Sequence, residues 1–175
     1  MSNLRLINET TVSSNVASSV SITDVFSSDF DIYKIVSTAH IHNADKDIYM
    51  RYINSAGSIV SASNYSSANM MMKADATKDE DKFTNGTYSY AGAIIGNYEN
   101  GGGSHWIYNP YNSDRFSFVT FEGIGGYDSS NNKMRSMKGI GVLEQQASMT
   151  GVNFYSSNAS NTFSAYVTVY GLRKD

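Results

Sequence analysis

Side chains that alternate between two faces every second residue recur along this chain, and they restrict its fold more than any other feature. In YKIVSTAHIH (33–42), Ile35, Ser37, Ala39 and Ile41 share one face, while Val36, Thr38, His40 and His42 share the other. RFSFVTFE (115–122) sets Phe116, Phe118 and Thr120 against Ser117, Val119 and Phe121. TFSAYVTVYGL (162–172) sets Phe163, Ala165, Val167 and Val169 against Ser164, Tyr166, Thr168 and Tyr170. A pleated strand has this two-residue period, and a helix does not. Between the alternating runs lie short segments rich in Gly, Asn, Ser and Asp, which favour reversals.

The remaining chain extends this pattern. Residues 1–19 read as an N-terminal arm or edge strand, and residues 20–175 as one sandwich domain. Val20, Ile22 and Val25-Phe26 read as a short strand, and 43–46 as a turn. DIYMRYIN (47–54) is expected to pair with the strand before it, and Ile59–Ser63 to complete a further hairpin. NYSSANMMMKADATKDEDKFTNGT (64–87) reads as a long connection. Gly101-Gly102-Gly103 reads as a flexible reversal, and the glycines at 123–126 and 139–141 as turns or bulges. Roughly eight to ten short strands without helical stretches between them predict an all-β, antiparallel β-sandwich, jelly-roll-like, and exclude a parallel sheet. In such a roll the first and last strands can be neighbours.

Composition limits the function. The 175 residues are enough for one domain. Thirteen Lys and Arg against sixteen Asp and Glu give a net charge of −3 with no basic block, so nucleic acid is not an expected partner. No apolar run approaches the roughly 18 residues of a membrane span, and no ordinary export signal is read at the N-terminus. With no cysteine, thiol catalysis and thiolate metal sites are excluded.

Few residues nominate chemistry. His40 and His42 would project from one strand face at a spacing that can hold a metal, with His105 as a third ligand; the alternative is a polar surface pair without metal. Asp75, Asp79, Glu80 and Asp81 are interleaved with Lys73, Lys78 and Lys82 and read as a solvated charge cluster, since a calcium hand's glycine and terminal glutamate are missing. No nucleophile elbow or phosphate loop is present. No enzyme activity and no cofactor are expected. Trp106, Tyr108 and Tyr111, clustered around Asn109 and Pro110, are candidate carbohydrate-binding residues, because exposed aromatics beside amides stack on and hydrogen-bond sugars. The alternative puts the single tryptophan in the core.

The run Ser28-Asp29-Phe30-Asp31-Ile32-Tyr33-Lys34-Ile35, then Tyr49-Met50-Arg51 before Gly57, Tyr65, Tyr108-Asn109-Pro110, Gly151-Val152 and the ending Val169-Tyr170-Gly171-Leu172-Arg173 resembles a jelly-roll virion domain of tailed bacteriophages. The likeness spans about residues 20–173. It implies a capsid decoration, head fibre or tail appendage without catalytic residues. Such a protein would assemble as a homotrimer in the host cytoplasm and dock on a major capsid or tail protein. The other reading is a carbohydrate-binding adhesin or receptor-binding module that meets surface polysaccharide.

Overall fold

A computed structural model describes residues 3–41, 46–74, 78–95, 101–128, 133–160 and 162–173. Its twelve strands are β1 (Leu4–Ala17), β2 (Ser19–Ile22), β3 (Ile32–Ile41), β4 (Lys46–Asn54), β5 (Tyr65–Lys73), β6 (Lys78–Gly86), β7 (Ser89–Ile95), β8 (Gly101–Tyr108), β9 (Ser117–Asp128), β10 (Lys133–Leu143), β11 (Met149–Ser156) and β12 (Phe163–Leu172). They form an eight-stranded sheet in the order β1-β12-β3-β8-β9-β10-β5-β6 and a four-stranded sheet in the order β2-β11-β4-β7. Every pairing is antiparallel, and no helix occurs among the described residues. The protein is an antiparallel β-sandwich of jelly-roll type.

The alternating residues fill the space between the layers. Tyr33 and Ile35 of β3, Ile107 of β8 and Val167 and Val169 of β12 meet Met50 and Tyr52 of β4 and Val152 of β11, all at most 1% exposed. Each such side chain contributes about 1.5–3 kcal/mol on leaving water. The tyrosines in this core keep their hydroxyls bonded. Tyr65 donates to the Val60 carbonyl at 2.9 Å and accepts the Tyr52 N–H at 3.0 Å. Tyr33 donates to the Ser27 carbonyl at 3.0 Å. A smaller cluster of Tyr90, Phe121 and Met137, flanked by Tyr49, Tyr88 and Phe83, closes the side where β7 meets the β5–β6 hairpin.

Several expectations are corrected. β4 does not pair with β3: it crosses to the four-stranded sheet between β11 and β7, while β3 lies between β12 and β8. The 59–63 segment contributes one bridge, Ile53 to Ile59, and no strand. Residues 64–87 are no long connection but the β5–β6 hairpin, at the edge of the large sheet. Tyr65, Ser67, Asn69 and Met71 face inward and Ser66, Ala68, Met70 and Met72 outward, so the alternation is real but carried by polar and flexible side chains. The charged run Lys78–Lys82 lies on β6, where charge deters further strand pairing. Gly101–Gly103 form the first part of β8, and Gly123, Gly139 and Gly141 lie within β9 and β10. At Gly139 a Cβ would meet the Ala68 carbonyl oxygen at 2.5 Å and the Phe121 ring. Missing side chains here permit close strand packing instead of a turn. A register shift beside Gly125 is the one irregularity in the β9–β10 pairing. β1 pairs with β12 at the opposite edge, which makes the first and last strands neighbours.

Candidate functional site

The four-stranded sheet covers one face of the large sheet, and the other faces outward. Because β3, β8, β9, β10, β5 and β6 pair antiparallel without a register shift across their middle portions, outward side chains there form rows perpendicular to the strands. One row runs Lys34, Trp106, Thr120, Ile140, Ala68, Lys82 across β3, β8, β9, β10, β5 and β6. At roughly 4.8 Å per strand its length is about 24 Å. The row beside it carries Tyr108, Phe118, Val142 and Ser66, and the row on the other side Ser104, Glu122, Lys138, Met70 and Glu80.

Two connected depressions follow these rows. The first, about 430 Å³, has walls from Tyr108, Phe118 and Ile140 and a floor from the smaller Ser66, Ala68 and Thr84. The second, about 520 Å³, is more polar and includes Asn69, Glu80, Lys82 and Lys138. Ala68, Lys82 and Ile140 line both. Phe118 is 46% exposed and Ile140 61%, an apolar exposure that marks a surface built for contact.

Charge on this face is distributed unevenly. Glu122 pairs with Lys138 at 3.5 Å and Glu80 with Lys78 at 3.9 Å. Lys34 instead lies over the Trp106 ring, 5.2 Å from its centroid. Such an exposed cation–π contact contributes about 0.5–1 kcal/mol and fixes the indole's orientation. Among the described residues, neither Lys34 nor Lys82 reaches a carboxylate at ion-pair distance.

The nominated residues separate. Trp106 and Tyr108 both lie on the outward side of β8, partly exposed, so the tryptophan is not a core residue. Tyr111 lies beyond the end of β8, beside Ser27, Ser28, Asp31, Asn109 and Asn112, where these residues line a third depression of about 190 Å³. Its backbone carbonyl is held by the Ser148 hydroxyl at 2.9 Å. Phe118, Thr120, Ile140 and Lys82 were missed by the sequence reading. Phe118 was visible there in an alternating segment, on the same face as Phe116 and opposite Phe121, but nothing along the chain showed which of the two faces would stay uncovered.

His105 is corrected as a third metal ligand. It points into the core, fully buried, with Nε2 2.7 Å from the Ala91 carbonyl oxygen, between Phe121 and Phe154. Burial lowers its pKa to about 4, although backbone hydrogen bonding acts in the opposite direction. His40 belongs to β3, but its side chain, like the whole of His42, falls outside the described residues. No group of three or more His, Asp or Glu side chains able to hold a metal occurs among the described residues. Of the acidic cluster, Asp79 pairs with Lys73 and Asp81 accepts a hydrogen bond from Tyr90, while Asp75 lies outside the described residues.

No family model and no curated protein matches this chain. Among solved structures, it is similar to the alginate lyase Aly36B, with a TM-score of 0.42 and 9% identity over 95% of this chain and 81% of that one. It is similar to the marine PL-14 alginate lyase from Aplysia kurodai, with a TM-score of 0.33 and 11% identity over 84% and 71%. A third similarity is to the CBM22-1 xylan-binding domain of Paenibacillus barcinonensis Xyn10C, with a TM-score of 0.32 and 9% identity over 98% and 83%. At these scores the likeness carries no argument about ligand or reaction, which must come from the face itself.

Proposed function

We propose that this protein is a polysaccharide-binding β-sandwich whose binding surface is the outward face of its eight-stranded sheet. One observation carries the reading. Tyr108 and Phe118 are cross-strand partners that line one of two joined depressions, Trp106 stands two residues before Tyr108 on the same outward side of β8, and the Thr120 hydroxyl and the Lys82 ammonium lie on the same face. Aromatic faces stack on the C–H faces of sugar rings, while hydroxyl and ammonium groups bond the ring substituents. An open face whose central row of outward side chains runs about 24 Å suits a chain of sugars more than a small enclosed ligand.

The surface is read as binding and not catalytic. The carboxylates facing it, Glu80 and Glu122, are engaged with Lys78 and Lys138. Hydrolysis of a glycosidic bond needs an acid and a base flanking one bond, and no segment of the face supplies that arrangement among the described residues.

The setting implied by the sequence resemblance belongs to this proposal: a phage particle on which the domain sits as a homotrimer, docked to a capsid or tail protein, meeting polysaccharide at the host surface. Met72, Ile124 and Met134, each 57–59% exposed on the large sheet, supply apolar area for such docking. The mass of the protein in solution and imaging of particles that carry it test this setting.

Affinity electrophoresis through gels containing bacterial and algal polysaccharides tests the binding. The native protein is expected to be retarded by at least one of them, and Trp106→Ala to run as in the blank gel with its melting temperature within a few degrees of native. Absence of retardation in every gel, or unfolding of Trp106→Ala, contradicts the reading.

A further inference from the structure

Resting on the polysaccharide-binding reading, a narrower ligand class follows from how polar and apolar groups are divided along the trough. The depression between Tyr108, Phe118 and Ile140 presents carbon almost everywhere. Apart from the ammonium of Lys82 at its rim, the side-chain polar atoms near it are the hydroxyls of Ser66, Ser67, Thr84, Thr120 and Tyr108. Of these, Ser67 is turned inward and donates to the Ile140 carbonyl at 2.9 Å, and Ser66 donates to Glu144. A bare pyranose, with a hydroxyl on nearly every carbon, would lose water there without enough partners in return, at a cost of about 1–3 kcal/mol for each unpaired group. A methyl or acyl substituent would lose nothing and gain by burial.

The charge beside this notch is the second observation. Lys82 lines both depressions and ends the row that Lys34 begins. These two ammonium groups have no ion-pair partner among the described carboxylates, although the chain as a whole carries a net charge of −3. Cations left unneutralised on a face of an acidic protein are complementary to an anionic ligand.

We propose that the trough binds an acidic polysaccharide bearing O-acyl groups, with a ligand carboxylate at Lys82, a second acidic residue toward Lys34, and an acyl group seated between Tyr108, Phe118 and Ile140. Lys82 stands where the apolar and polar depressions meet, so the acyl group and the acid it recognises belong to the same or adjacent sugars. Ala68, on the shared floor, sets the depth of the notch.

Binding of the full chain to three probes tests this: an O-acetylated polyuronate, the same polymer after mild alkaline de-O-acetylation, and a neutral glucan. The acetylated polymer is expected to bind about five- to tenfold more tightly than the de-acetylated one, the increment expected from burying a group of acetyl size, and the neutral glucan more weakly than either. Ala68→Phe, which fills the notch, is expected to bring the acetylated polymer's affinity down to that of the de-acetylated one. Lys82→Gln is expected to weaken both acidic polymers and reduce the loss of affinity on adding salt. Thermal unfolding of both variants checks the fold, and Thr84→Phe replaces Ala68→Phe if the latter is unstable. Equal affinity for the two polyuronates, or a neutral glucan bound as tightly, overturns the inference while leaving polysaccharide binding intact. Binding to none of the three probes, together with binding to oleate micelles, would show that the notch takes a lipid chain and overturn both.

Discussion

The Lys34 ammonium sits over the face of Trp106, 5.2 Å from the ring centroid, on adjacent strands β3 and β8. The pair orients the only indole in the chain at one end of the outward trough. Lys34→Met keeps the aliphatic stem and removes the charge, so it is expected to cost no more than about 1 kcal/mol of stability in urea unfolding. A larger loss would mean that Lys34 supports the fold through contacts other than the ring.

His105 makes stability fall in mild acid. It is neutral in the folded protein, with a pKa lowered to about 4, against an ordinary value of 6.5 when the chain is unfolded. Between these values the unfolded state binds more protons, so stability contributed by the neutral ring is full above pH about 6.5 and is lost as pH falls toward about 4. The full effect is about 3 kcal/mol. His105→Gln places an amide nitrogen near the position of Nε2 and keeps the bond to Ala91 without a titrating group. Denaturant midpoints measured from pH 4 to 7 are expected to slope less for this variant than for the native protein. Identical slopes would show that another group sets the acid limb.

Gly139 marks where β10 and β5 leave no room for a side chain. With the Ala68 carbonyl oxygen 2.5 Å from an added Cβ and the Phe121 ring beside it, Gly139→Ala forces the backbone or the ring to shift. The expected cost is about 1–3 kcal/mol, read as a lower melting temperature. An unchanged melting temperature would mean that Phe121 moves aside freely.

Tyr65 ties the 59–63 segment to the core by holding the Val60 carbonyl and the Tyr52 N–H with one buried hydroxyl. Tyr65→Phe leaves two backbone groups without partners and is expected to destabilise by about 2–4 kcal/mol, with hydrogen exchange at Tyr52 accelerated ahead of other β4 amides. Exchange that changes uniformly across β4 would place the loss elsewhere.

The parts legible in the sequence were those in which the two-residue alternation uses apolar side chains: β3, β9 and β12 stand where Ile35, Val119 and Val167 placed them. β5 and β6 were hidden because Ser67 and Asn69 face inward, three methionines interrupt the contrast, and charges occupy an edge strand that needs no buried outer neighbour. Glycine misled in β8 and β10, where it serves close packing in place of a turn. Strand partners were misread because adjacency along the chain does not show when a connection crosses between layers, as from β3 to β4. For the site, Trp106 and Tyr108 could be nominated from residue type, but Tyr111 lies in a different depression. Phe118 and Lys82 join Trp106 only through the order β3-β8-β9-β10-β5-β6, a relationship among segments far apart in sequence.

Trp106 is the chain's sole tryptophan, so its selectively excited emission reports one point on the trough. Titration with an acidic polysaccharide that retards the protein in gels should change that emission saturably and shield the indole from acrylamide quenching. Retardation with unaltered emission and quenching would place the binding surface elsewhere on the molecule.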